Sequence, residues 1–207
     1  MITDINQLDR SKLYSYSDYL LWQFEERIEL LKGKLLRMSP APSTRHQKIS
    51  NLISSKITWY LTDDGCSIFV APFDVRLPIS EDLDVSKKYK NKAKKLPDGK
   101  MMTVLQPDIC VICDIDKLDE RGCVGAPDLI IEILSPGNTQ KEMKDKFDIY
   151  QEAGVREYWM VETLSEFILK YTLVDDIFVG SKPYTNKEQI KSEVLSGFVL
   201  DVGSIFK

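Results

Sequence analysis

PDLIIEILSP, residues 127–136, sets one glutamate inside an otherwise apolar run, and the reading of that run decides the fold. Pro127-Asp128 opens it with turn chemistry and Ser135-Pro136-Gly137 closes it, leaving an apolar segment too short for a core helix. It reads as a buried strand over 126–134. A carboxylate carried into such a strand costs several kcal/mol unless it is paired or holds a metal. Glu132 therefore needs a partner.

Downstream, a helix is expected over 140–152 with Gly154 suited to its C-cap, then strands in VREYWMVE, EFILKYTLV and IFVG, with GFVLDV as a last one. Upstream, TVLQPDICVICDI (103–115) and SIFVAPFDVRLP (67–78) each read as one strand, the latter after a DDG turn at 63–65. In PSTRHQKISNLISSKITWYL, Ile49, Leu52, Ile53, Ile57, Tyr60 and Leu61 recur at helical spacing, with Ser43 or Thr44 as the cap. RIELLKGKLLRM reads as a hairpin turning at Lys32-Gly33, with Glu29 on its first strand. MITDINQLDR is expected to be loose, and Ser17 to cap a short helix through DYLLWQFEE. Strands grouped around a few helices argue for a mixed α/β or α+β sheet domain spanning 1–207, with 1–15 loose.

Composition limits the partners. The 28 Lys+Arg and 32 Asp+Glu leave a net charge of −4 over 207 residues, so no global basic field draws nucleic acid or an anionic membrane. No apolar run approaches the ~20 residues of a membrane span, and no secretory leader follows Met1. A cytoplasmic protein with no membrane partner is expected. A homodimer is compatible with the sequence, which does not determine the oligomeric state. The most polar segment, 80–100, runs from SEDLD to KKYKNKAKK and is expected to be a loop, either a solvated insertion or a flap that contacts DNA.

Pro-Asp occurs at 97–98, 107–108 and 127–128, and only the last two pairs open strands. If the 106–113 and 128–134 strands pair, turning through RGCVGA, Asp108 and Glu132 stand side by side on one face. Adjacent carboxylates repel and hold a proton between them unless a cation neutralises them. Mg²⁺ suits them, with Mn²⁺ as a substitute, since it takes one or two carboxylates and keeps waters for substrate oxygens. Asp128 shares the strand face of Glu132 but lies about 13 Å along the strand, too far to hold the same ion.

The order PD, turn, strand glutamate resembles the PD-(D/E)XK nuclease superfamily. IELLKG, MSPAPSTRHQKI, QPDICVI, APDLIIEILSP, the run Lys146-x3-Tyr150-x3-Gly154-Val155 into REYW, and GFVLDVGSIF are, in that order, similar to the Uma-type restriction-endonuclease family, long catalogued as a domain of unknown function. The likeness extends from about Ser17 to Phe206. It implies a restriction-endonuclease-like core, a central mixed β-sheet flanked by helices, and metal-dependent cleavage of phosphodiester bonds in DNA. Asp108 and Glu132 would hold Mg²⁺, with the Ile133 carbonyl as a further ligand and Glu29 as an additional acid. The superfamily lysine, two residues after the glutamate, is Leu134 here. The resemblance moves it to Lys146, which would assist the attacking water and shares a helix face with Glu142 and Tyr150. The ordinary alternative is an exposed Glu142–Lys146 ion pair.

His46, the one histidine, begins the buried stripe of its helix. A packed structural role is the first reading, with a site-adjacent role implied by the family's HQ-x-I. Cys110 and Cys113 would face opposite sides of a strand, so a zinc site with Cys123 is a poor reading and buried free thiols the better one, and the four cysteines, Cys66 included, are expected to form no disulfide framework. Beside the endonuclease stand a non-catalytic DNA-binding or protein-interaction member of the same fold and, least supported, an unrelated two-carboxylate hydrolase.

Overall fold

The computed structural model of the chain describes residues 2–23, 25–38, 42–61, 65–135, 137 and 139–207. The 63–65 turn and the 135–139 connection lie partly outside the described residues. In chain order the elements are Tyr16–Tyr19 (α1), Ile28–Leu31 (β1), Lys34–Arg37 (β2), Thr44–Tyr60 (α2), Ser67–Val70 (β3), Val75–Leu77 (β4) and Leu83–Tyr89 (α3). Next come Thr103–Leu105 (β5), Ile109–Ile112 (β6), Leu118–Asp119 (β7), Gly122–Val124 (β8), Leu129–Leu134 (β9) and Gln140–Ala153 (α4). Glu157–Glu162 (β10), Phe167–Val174 (β11), Ile177–Gly180 (β12), Tyr184–Thr185 (β13), Gln189–Lys191 (β14) and Val199–Asp201 (β15) complete the chain. No helix among the described residues is long and apolar enough to cross a membrane.

The central sheet is mixed and runs β12-β11-β10-β9-β6-β3, with β13 added on β11. β9 and β10 are parallel and joined by α4, while β6 and β3 are antiparallel to their neighbours. The register pairs Ile109 with Ile131 and Cys110 with Ile130, so the next step outward sets Asp108 opposite Glu132. Strand alternation then sorts the faces. Leu129, Ile131 and Ile133 pack with Ile49, Ile53 and Ile57 of α2, whereas Ile130 packs with Ile149, Tyr150 and Ala153 of α4. Each of those buried isoleucines contributes roughly 2 kcal/mol of transfer free energy. Glu132, of the same parity as Ile130, faces α4.

A second sheet, β2-β1-β5-β4-β8-β7, was not expected. Both long strands expected from the sequence are broken: residues 67–77 form β3 and β4, residues 103–112 form β5 and β6, and each pair is divided between the two sheets. Pro72 and Pro107 stand at the breaks and lack the N–H a continuous ladder needs. The link from β6 to β9 likewise leaves the central sheet to form β7 and β8 and is no simple turn through RGCVGA. On β1, Leu31 enters the core shared with α4 while Ile28 and Leu30 pack with the N-terminal residues. By the same alternation Glu29 points toward α4.

Local signals account for the rest. Lys32 (φ 50°) and Gly33 (φ 85°) form the two-residue hairpin turn. Ser43 accepts the His46 N–H to cap α2, and Gly154 (φ 88°) ends α4. The short N-terminal helix is capped by Ser15, in a capping box with Asp18, and not by Ser17. The N-terminus is not loose, since Ile5, Leu8 and Tyr14 are buried with Tyr16. The expected loop at 80–100 carries α3 and buries Ala93 and Leu96 in the same cluster.

Candidate functional site

At the end of the central sheet β9, β1 and α4 converge. Helical spacing turns Lys146, Ile149, Tyr150 and Ala153 inward, and Lys146 is only 7% exposed. Its ammonium lies 3.0 Å from Glu29 Oε1 and 3.1 Å from Glu132 Oε1. The Tyr150 hydroxyl donates to the same Glu132 oxygen at 2.7 Å. Lys146 is thus a buried cation between two carboxylates from two sheets, and the exposed-ion-pair alternative does not hold.

Asp108 completes the group. Its Oδ2 accepts the Ile133 N–H at 2.7 Å and lies 3.2 Å from His46 Nε2. His46 is buried, as its place in the α2 stripe implied, and its polar partner is a site carboxylate. One cleft is lined by Arg27, His46, Asp108, Glu132, Ile133 and Lys146. Asp128 stands apart, accepting the Cys113 N–H and the Arg156 guanidinium at the other end of β9.

Two residues that sequence reasoning passed over support this group. The Gln106 N–H donates to Glu29 Oε1 at 2.7 Å, and its side-chain carbonyl accepts from Arg27 Nη2 at 2.8 Å while its amide donates to Asp74 at 2.8 Å. Gln106 stands within QPD and Arg27 before IELL, so the motifs flagged the neighbourhood without assigning either role.

The electrostatics show excess negative charge. Burial, the larger effect, pushes the Glu132 carboxyl up, the Asp108 and Glu29 charges add to it, Lys146 and the Tyr150 hydrogen bond oppose it, and the result is about 7. For Lys146 burial works toward loss of the proton, but Glu132 and Glu29 outweigh it and hold the ammonium well above its ordinary range. Burial also lowers His46, and the Asp108 contact, the Ile133 carbonyl and Glu132 reverse the sign, leaving it raised.

Divalent-cation fit follows from the same donors. Glu132 Oε2 and Asp108 Oδ1 take no hydrogen bond from the described residues, and the Ile133 carbonyl faces His46 beside them. Glu29 Oε2 is buried without a partner among the described residues. No three His, Cys, Asp or Glu side chains among the described residues form a ready-made cation cage. Two carboxylate oxygens with otherwise solvent ligands is a donor set suited to Mg²⁺.

The cysteines correct one expectation. Cys66 and Cys113, facing each other one step beyond the Ser67–Ile112 pair of β3 and β6, form a disulfide. Cys110 and Cys123 are free and buried. Burial pushes the Cys123 thiol up to about 12 and Cys110 higher still, which leaves both inert.

The family model described as "Uma2: Putative restriction endonuclease" matches residues 16–203. A crystal structure from Anabaena variabilis, described as a putative nuclease belonging to DUF820, has the same fold, with a TM-score of 0.68 and 17% identity over 93% of this chain and 97% of that chain. No curated protein matches.

Proposed function

Because the chain belongs to the Uma2 restriction-endonuclease family, we propose that it is a divalent-cation-dependent endonuclease that hydrolyses phosphodiester bonds in DNA. The observation that carries this reading is the convergence of Asp108, Glu132 and Lys146 on one cleft, with Glu29 buried behind Lys146 and paired to it. Asp108 and Glu132, with the Ile133 carbonyl, are the residues that would hold Mg²⁺ or Mn²⁺. When bound, such an ion lowers the pKa of water and offsets charge growing on the phosphate oxygens.

The chain's own groups supply the rest. Asp108 is oriented by the Ile133 N–H and His46, and Glu132 by Tyr150 and Lys146. Lys146 keeps its proton, so it acts as a charged donor: two N–H groups serve Glu29 and Glu132, and the third serves a water or phosphate oxygen in the cleft. General-base action by its free amine is not part of the proposal. Arg27, held by Gln106, brings a second positive charge to the cleft wall. A non-catalytic member of the fold is the second reading, favoured by Leu134 in place of the strand lysine.

Cleavage of supercoiled plasmid with Mg²⁺ or Mn²⁺ separates the two. Nicking or linearisation by the parent, lost in Glu132→Gln and Asp108→Asn and suppressed by EDTA, is the expected result. A folded parent that cleaves no plasmid, linear duplex or single strand with either ion rules the enzyme reading out.

A further inference from the structure

The cleft at Asp108 does not end there. It continues between α2 and the edge strand β3, first along Gln47, Ser50, Asn51 and Ser54, sharing Arg27, His46 and Asp108 with the site. A further hollow then shares Asn51, Ser54 and Val70 with that stretch and ends at Thr58 and Trp59. Gln47, Asn51, Ser54 and Thr58 follow helical spacing, so they form one stripe along α2 beside the cleft. From His46 to Trp59 is 13 positions, about 20 Å of helix at 1.5 Å each.

Two features of this wall differ from the rest of the molecule. In a chain of net charge −4, residues 44–60 contain no acid, and although Arg45 is bonded to Glu166, Lys48 and Lys56 add positive charge to α2 outside the groove lining. Trp59 is 84% exposed, more than any other large hydrophobic side chain among the described residues, and it lines the same hollow as the half-exposed Val70. Hydroxyls and amides suit sugar and phosphate contacts without reading sequence. An aromatic face suits an unpaired base.

We infer that the α2 groove carries a single nucleic-acid strand away from the catalytic cleft, with a base stacked on Trp59 about 20 Å, or roughly six stacked nucleotides, from His46. The inference rests on the endonuclease reading and narrows its substrate to DNA with an unpaired segment beside the scissile bond. Continuity selects the occupant. A protein laid in this groove would cap the cleft that holds Glu132, whereas a strand entering that cleft has to leave it along a wall. Stacking beside a continuing strand calls for unpaired bases, since inside a duplex each base face is already covered by its neighbours.

Binding without chemistry provides the test. The affinities of a fluorescein-labelled oligothymidine 12-mer and of a blunt duplex of equal length are measured by anisotropy in EDTA for the parent, Trp59→Ala and Trp59→Phe. Trp59→Ala should bind the single strand about tenfold more weakly, Trp59→Phe should stay within about threefold of the parent, and blunt-duplex affinity should not change. Sedimentation of each variant shows whether self-association has changed. Equal single-strand affinity in the parent and Trp59→Ala overturns the groove assignment, as does a Trp59→Ala effect confined to self-association. A parent that cleaves plasmid with Mn²⁺ but shows no dependence on Trp59 loses the groove and keeps the endonuclease, whereas one that neither binds nor cleaves loses both.

Discussion

Lys146 is the side chain whose surroundings most change what its removal does. A lysine on an exposed helix face would be dispensable for folding, but this one is buried between Glu29 and Glu132. Lys146→Ala leaves two buried carboxylates uncompensated and should cost about 3 kcal/mol or more in urea unfolding, besides lowering DNA cleavage by ~10²-fold under conditions where the variant remains folded. A stability loss under about 1 kcal/mol would contradict the buried pairing. Lys144, exposed and bridged to Asp148 one turn on, is the matched control, and Lys144→Ala should leave cleavage unchanged. Glu132 sets the pH dependence. Its folded-state value of about 7 lies above the ordinary carboxyl value of 4.5, so the folded chain holds that proton more tightly than the unfolded one. Its contribution to stability without metal is complete below the ordinary value and is lost as pH rises through about 7. Binding of the proposed ion would run the other way, because a carboxylate ligand must be ionised. Mn²⁺ affinity by calorimetry should therefore fall by up to about tenfold per pH unit below pH 7. A flat profile from about pH 5.5 to 8 would remove Glu132 from the ligand set.

At the scale of elements, β9, α4 and the strands β10, β11 and β12 after them were legible, and the division of β3 to β8 was not. Glu132 stood out as a charge in an apolar run, and α4 carried both its period and its Gly154 stop. Residues 67–77 and 103–112 carry an apolar pattern that one long strand and two short ones in different sheets satisfy equally. Pro72 and Pro107 mark the breaks, but only tertiary pairing decides which sheet each half joins, which is also why Gln106 and Arg27 went unassigned: their partners are Glu29, Asp74 and each other, on or beside the neighbouring strands β1, β5 and β4 of the second sheet. The disulfide was hidden for the same reason, since Cys66 and Cys113 meet only through the β3–β6 register. This bond ties the edge strand β3 to its neighbour across a sequence separation of 47 residues. In the chain-entropy treatment a loop of that length is stabilised by about 4 kcal/mol. Reduction, or Cys66→Ser with Cys113→Ser, should lower the unfolding midpoint in urea accordingly. An identical midpoint for the oxidised and reduced protein would mean that the bond is absent or without effect.

Across the whole molecule the charges are arranged unevenly. The Lys90–Lys95 segment lines a separate hollow with Ala153 and Gly154, at the C-terminal end of α4. That is about 12 Å of helix beyond Lys146, and Asp114, Asp116 and Asp176 share the hollow. These lysines therefore stand away from the cleft, which favours the solvated-insertion reading of the segment over the DNA-contacting flap. Lys94→Ser with Lys95→Ser should leave DNA affinity and its salt slope as in the parent, whereas Arg27→Ala with Lys48→Ala should weaken binding and reduce the slope by about one or two. The reverse pattern would place the nucleic acid on the other end of the molecule. All of this rests on two carboxylates from antiparallel strands sharing one cation. The direct measurement is anomalous scattering from crystals of the parent soaked in Mn²⁺. A peak within coordination distance of both Asp108 and Glu132, absent in Glu132→Gln crystals, is expected, whereas fully soaked crystals with Mn²⁺ elsewhere and none between these side chains would contradict the proposed centre.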